Sequence, residues 1–386
     1  MTIVFLGLSI TSSWGNGHAT TYRALIRALA SRGHDVLFLE RDAPWYADNR
    51  DLPEPPYCRT RLYTSVAELE RTYAGEIGAA DVVIVGSYVP EGTAVADMVL
   101  RIAAECTAFY DIDTPVTLRA LRHDQADYIS RAQVPRFDLY LSFTGGPTLA
   151  RLEQEFGAQR ARALHCAVDA DMYFEDTSST RDMDLGYLGT YSIDRQPTLD
   201  ALLLQPARTW AAGRFVVAGP QYPQSLEWPA NVERVIHLAP AVHQPFYNRL
   251  RFTLNVTRRD MVEAGYSPSV RLFEAAACGT PIISDDWPGL EAYLAPGQEI
   301  LVARSSRDVM ACLRELPEAD REAIGRKARD RVLASHTAEH RAFELERYVN
   351  EATRRERVPD AEVPTTAGAR TAGIERVRPR LIAART

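Results

Sequence analysis

The sequence predicts an α/β protein made of two Rossmann-like halves, and three observations carry the prediction. Short apolar runs alternate with amphipathic helical stretches from the first residues to beyond 300, the pattern of parallel sheets with crossover helices. The alternation breaks near Asp169-Ala170-Asp171, read as an interdomain crossing, and begins afresh at Met183. At 386 residues the chain also exceeds what one ordinary core accommodates, so two domains are expected.

Residues 2–8 read as a buried strand, followed by a Ser- and Gly-rich loop and a helix with Tyr22, Leu25, Ile26 and Leu29 on one face. Arg32-Gly33-His34 closes that helix. Residues 36–39 give the second strand, 81–85 the third, 107–110 the fourth and 137–142 the fifth; Gly145-Gly146-Pro147 turns into a helix over 149–156. In the second half, strands are predicted at 183–188, 215–218, 232–238, 252–255 and 299–302, with a turn at Gly189, a helix near 199–204 and helices from 307 to 350. From Ala352 onward the chain carries Pro, Ala, Thr and eight arginines without apolar periodicity, the signature of a disordered basic tail. The expected division is one Rossmann-like domain over 1–167, a second with terminal helices over 168–351 and a tail over 352–386.

Composition narrows the class. An apolar fraction of 46% with 25% charged residues is that of a globular enzyme, and a net charge of −7 argues against a general nucleic-acid binder. Lys327 is the only lysine, so arginine supplies the positive charge and lysine-dependent chemistry is not expected. Cys58, Cys106, Cys166, Cys278 and Cys312 are widely spaced, with no CxxC pair for zinc or redox work, which fits a reducing cytoplasm. No signal peptide or integral membrane segment is expected.

The richest segment runs from Ser267 through Gly279-Thr280-Pro281 to Ser284. Ser267 is placed to cap a helix with Pro268 at its first position, Gly279 to end it in the left-handed conformation, and Ile282-Ile283 to restart as strand. Arg271 and Glu274, three apart, share a helical face. If the N-terminus of this helix faces the cleft between the two sheets, its first N–H groups suit an anion, and Glu274 one turn in suits sugar hydroxyls.

This segment resembles the donor motif of group 1 glycosyltransferases with the GT-B fold: a Glu, a run of small residues, then Gly-Thr-Pro. Ser9 to His18, Arg32-Gly33-His34, Asp111-Ile112-Asp113-Thr114-Pro115, Ser142 to Gly146 and Leu254 to Arg258 further resemble the CgeB-like (spore maturation protein CgeB) branch. The resemblance spans about residues 3–295 and implies a GT-B glycosyltransferase, a hexosyltransferase within that class, with two Rossmann-like domains facing across a cleft. It implies a nucleotide-diphosphate sugar as donor, held by the domain over 168–351, with UDP, GDP and dTDP equally open, a hydroxyl acceptor of unknown identity held mainly by the acceptor domain over 1–167, and no metal or other cofactor. Glu274 would hold the ribose; Ser269, Val270 and Arg271 would face the phosphates; Gly189 and Thr190 would let backbone approach them. Two departures stand out. The acidic position eight residues before Glu274 in relatives is Tyr266 here, with Glu263 three residues further back, and the lysine of a common Arg/Lys pair is missing, leaving Arg195, Arg258 or Arg271 to substitute.

Candidate catalytic groups lie in the first half. Asp111 and Asp113 flank one residue, a spacing that resembles the metal motif of GT-A enzymes but that equally serves a turn before Thr114-Pro115 or a contact to an acceptor hydroxyl. Asp113 or Asp111 is the expected general base of an inverting reaction, His18 a polarising group at a helix start, and His123 and Asp124 lesser candidates. Gly15, Asn16 and Gly17 form the acceptor-side loop, and Asp285 to Gly289 a loop beside the sugar. Two other classes are open. A nucleotide-dependent oxidoreductase would use Gly15-Asn16-Gly17 and Glu40 at the end of the second strand, and a non-catalytic surface or coat protein would retain only nucleotide-sugar binding.

Overall fold

The computed structural model describes residues 1–354. Its first sheet has seven parallel strands: β1 (Thr2–Gly7), β2 (Asp35–Arg41), β3 (Arg59–Tyr63), β4 (Val82–Gly86), β5 (Cys106–Asp111), β6 (Leu139–Ser142) and β7 (Ala161–Ala163), in the order β3-β2-β1-β4-β5-β6-β7. The central strands are apolar throughout because both faces are covered. Ile3 and Phe5 of β1 join one apolar cluster while Val4 and Leu6 join another across the sheet. The helix His18–Ser31 buries Tyr22, Leu25, Ile26 and Leu29 as their spacing predicts.

The second sheet repeats the plan: β8 (Met183–Leu188), β9 (Phe215–Ala218), β10 (Val232–Val235), β11 (Leu250–Asn255), β12 (Ile282–Ser284) and β13 (Leu301–Val302), in the order β10-β9-β8-β11-β12-β13. In each sheet the strand order therefore reverses beside its first strand, which opens a crevice at the carboxyl ends.

Two edge strands, β3 and β7, go beyond the sequence expectation. In β3 only Tyr63 is buried, so Arg59-Thr60-Arg61-Leu62 shows no apolar run to read. The helix carrying Glu274 spans Val270–Ala277, and its cap is Ser269 rather than Ser267. The reason is tertiary: the Ser267 hydroxyl lies 2.9 Å from that of Thr144, and the Pro268 carbonyl accepts from the Cys166 thiol, so this stretch stays extended along the seam between the halves. Gly279 does end the helix, at φ +63.

The last helix, Ala338–Arg354, leaves the second sheet and packs on the first. Glu346 pairs with Arg32 at 2.6 Å and His34 at 2.7 Å, and the Tyr348 hydroxyl donates to the Ala163 carbonyl. The chain thus crosses twice, at Val168 and at Thr337, which bridge each other. Residues 352–354, expected to begin the tail, complete this helix; the rest of the tail lies outside the described residues. No helix among the described residues is long and apolar enough to cross a membrane.

Candidate active site

A cavity of about 360 Å³ lies between the carboxyl ends of the two sheets. The loops after β1, β5 and β6 line it from one side, those after β8, β9, β10 and β11 and the Glu274 helix from the other. His18, Asp113, Gly15, Asn16, Gly17, Gly189, Thr190, Arg195, Arg258, Ser269, Val270, Arg271 and Glu274 all reach its wall; Asp111 and Tyr266 do not.

On the C-terminal side, Glu274 is 3% exposed, a carboxylate on a buried helix face. Tyr247 donates its hydroxyl to Oε2 at 3.2 Å, and His243 stands 3.8 Å from the same oxygen. Burial, with this carboxylate beside it, holds the Tyr247 phenol well above its usual range. His243 Nε2 donates to the Leu238 carbonyl at 3.1 Å, and its Nδ1 lies 3.1 Å from the Tyr173 hydroxyl.

Arg271 is 7% exposed and forms no ion pair among the described residues. Its Nε donates to the Leu188 carbonyl at 2.6 Å, one terminal nitrogen donates to Asn255 at 2.8 Å, and its plane lies over the Tyr187 ring. A charge so fixed, beside the first turn of a helix whose leading amides lack intrahelical partners, prepares the wall for an anion. Gly189 serves this arrangement by its lack of a side chain, since a Cβ there would come within 2.9 Å of the guanidinium. Its amide is not offered to a ligand, because it donates to the Ala218 carbonyl at 2.9 Å. The Arg195 guanidinium donates to the Thr190 carbonyl at 2.7 Å.

On the N-terminal side, Asp113 and His18 sit together with Tyr88. The Tyr88 hydroxyl donates to Asp113 Oδ2 at 3.1 Å, and its ring packs on His18 at 5.4 Å between centroids. Burial lowers the His18 pKa, against the pull of Asp113, so the imidazole is held toward its neutral form. Its Nδ1 has no hydrogen-bond partner among the described residues.

Asp111 is corrected to a supporting role. It is fully buried, accepts from Tyr140 at 2.6 Å and Thr117 at 2.8 Å, and receives the Asp113 amide. It shapes the loop that presents Asp113. Tyr266 likewise lies off the cavity wall: at φ +49 its ring lies between Gly146 and Gly289, and its carbonyl accepts from the Gly145 amide across the seam. Asn16 is a loop brace, its side chain bonded to the Ser9 and Ser12 carbonyls and the His18 amide. Asp285 also stays off the wall and ties Thr257 in place through both amide and hydroxyl, while Asp286 pairs with Arg304 on the surface. His123 and Asp124 are not part of the cavity. Glu40 is spent entirely on the Ser9–Thr11 loop, accepting from two hydroxyls and two amides, so the ribose contact of the oxidoreductase reading is gone.

No local pattern in the sequence marks Tyr88, His237 or His243. They stand alone between elements, and only the fold gathers them.

Two matching sheets with a cleft between them recur among solved structures. Sucrose-phosphate synthase from Thermosynechococcus elongatus superposes at TM-score 0.65 with 14% identity over 91% of this chain and 98% of that one. Anabaena Alr3699/HepE in complex with UDP-glucose gives TM-score 0.68 with 12% identity, covering 91% of this chain and all of the other at 100%. The chain has the GT-B fold. An alpha-glucosyltransferase in complex with UDP-glucose and DNA containing an abasic site gives TM-score 0.67 with 13% identity over 90% of this chain and 99% of its own. Residues 195–347, from the loop after β8 into the last helix, match the family model described as glycosyl transferase-like. No curated protein matches. In GT-B terms the family match covers most of the second sheet and its helices, including Arg258, Arg271 and Glu274.

Proposed function

We propose that this protein is a glycosyltransferase that moves a sugar from a nucleoside diphosphate to an acceptor hydroxyl. The observation that carries the reading is the pairing, on one buried helix wall, of Glu274 as a hydroxyl-binding carboxylate with Arg271 as a charge lacking any carboxylate partner among the described residues. The glycosyl transferase-like match over the same residues supports it, as do the GT-B proteins solved with UDP-glucose, which make UDP the first nucleotide to try.

In this reading the ribose lies on Glu274, the diphosphate on Arg271 and the helix N-terminus, with Arg258 and Arg195 beside it. Departure of the diphosphate leaves negative charge, and these cations and amides offset it without reorganising. Asp113 is the one carboxylate other than Glu274 on the cavity wall among the described residues, and it would take the acceptor proton while neutral His18 orients the hydroxyl. The transferred sugar is a hexose, no metal takes part, the acceptor is not a nucleic acid, and the protein works in the cytoplasm within a CgeB-like branch. The net charge of −7 speaks against a nucleic-acid acceptor, and the motif residues support the branch.

The test is thermal shift with UDP, GDP and dTDP, since a ligand that binds only the folded state raises its melting temperature. One nucleotide should stabilise the wild type, and Glu274→Ala should weaken its binding by about 1–3 kcal/mol, the scale of a charge-assisted hydrogen bond. Stabilisation by none of the three would remove the donor site. UDP-glucose turnover that survives EDTA would support the metal-free mechanism, and binding without hydrolysis or transfer would favour the non-catalytic class.

A further inference from the structure

Arg258 belongs to the donor half and Asp113 to the acceptor half, yet they meet across the cavity at 3.5 Å. The partners of each are otherwise few. Arg258 stands 4.0 Å from Asp194, and its Nε has no hydrogen-bond partner among the described residues. Asp113 keeps a second, independent donor on the same oxygen, the Tyr88 hydroxyl. The Arg258 backbone is fixed, for its carbonyl accepts from Met261 and Val262 at the start of the next helix, and Thr257 before it is tied to Asp285. Motion of the side chain alone can therefore exchange its partners.

With Arg258 at 35% exposure and Asp113 at 22%, the ion pair is a weak one. A diphosphate on the adjoining wall offers a guanidinium more charge and bidentate geometry. We infer that Arg258 is a donor-operated release for Asp113. In the empty protein it neutralises the carboxylate; when the diphosphate binds, the guanidinium turns to it and leaves Asp113 to Tyr88 and the acceptor hydroxyl. Binding of donor thus prepares the base, and the same coupling subtracts from donor affinity, because linkage is reciprocal. The inference rests on the proposed donor site and on Asp113 as base.

A double-mutant cycle on nucleotide affinity tests it, by calorimetry at fixed ionic strength with whichever of UDP, GDP and dTDP binds the wild type. Arg258→Ala should weaken binding at least about tenfold, as loss of a charged contact does. Asp113→Asn should tighten it about threefold, the worth of a half-exposed ion pair, and this gain should vanish when Arg258 is already Ala. Asp113→Ala supplies the same comparison if the Asn variant does not fold. A gain that persists without Arg258 means the carboxylate merely repels the nucleotide, and it overturns the release, as does an Asp113→Asn variant of unchanged affinity. If nucleotide binds and Glu274→Ala weakens it while the cycle is additive, the release alone fails. If no nucleoside diphosphate binds the wild type, the donor site fails and takes the release with it.

Discussion

Asp111 and Asp113 are two residues apart, and their surroundings divide the work between them. β5 carries Asp111 into the core, where burial raises its pKa from 3.8 to about 6 despite hydrogen bonds from Tyr140, Thr117 and the Asp113 amide, with the Asp113 charge adding to the rise. A carboxyl whose folded pKa lies above its unfolded value binds its proton more tightly in the folded state. Its contribution is fully present below about pH 3.8 and is lost as pH rises through about 6. Asp111 therefore costs stability at neutral pH, on the order of 3 kcal/mol between those limits. Urea unfolding from pH 4.5 to 7.5 should show the wild type losing stability with rising pH more steeply than Asp111→Asn, which keeps an acceptor for Thr117 but never ionises. Parallel profiles would mean that Asp111 does not titrate in this window.

The helices around the Glu274 wall obey packing over propensity at one position. Gly325 lies inside the helix Glu318–Ser335, where Ala would ordinarily be better by about 1 kcal/mol. A Cβ there would stand 2.4 Å from the Gly279 carbonyl oxygen and 3.1 Å from Pro281, so this helix crosses the end of the Glu274 helix at backbone distance. Gly325→Ala should destabilise the protein by about 1–3 kcal/mol through overpacking. Gly75, exposed in the helix Val66–Ala79 with nothing within 4 Å of where a Cβ would stand, is the control: Gly75→Ala should stabilise by up to about 1 kcal/mol. Denaturant melts of the two variants should move in opposite directions. The same contrast explains what the sequence makes legible. Central strands such as β1, β4 and β11 can be read because both their faces are buried, and the Glu274 helix because Gly279-Thr280-Pro281 announces its end. The edge strands β3 and β7 carry no pattern, since little of them is covered. On the site, Arg271 and Glu274 are legible as a local pair, whereas Tyr88, His243 and the true settings of Asp111, Tyr266 and Glu40 depend on partners distant in sequence.

At the scale of the molecule, the two sheets meet along a seam beneath the cavity, and its centre is one aromatic ring between two glycines. A Cβ on Gly146 would lie 2.4 Å from the Tyr266 ring on one side, and one on Gly289 2.6 Å from it on the other. Gly146 also holds φ 56 with ψ −141, a conformation that other residues adopt only under strain. Gly146→Ala cannot be absorbed locally, because the Gly145 amide is bonded to the Tyr266 carbonyl at 2.9 Å and that carbonyl also accepts from Tyr293 at 2.9 Å. The seam must open. Hydrogen exchange should then rise together at residues 144–146 and 265–267, on both sides of the contact. Nucleotide affinity, which in the proposed site rests on Glu274 and Arg271 in the second half, should hold or tighten by up to about threefold as Asp113 withdraws from Arg258. Turnover of donor should fall, because Asp113 and His18 no longer stand opposite the proposed phosphate wall. Loss of nucleotide binding in step with turnover would mean instead that the seam supports the donor wall itself, and that the two halves do not divide the substrates between them.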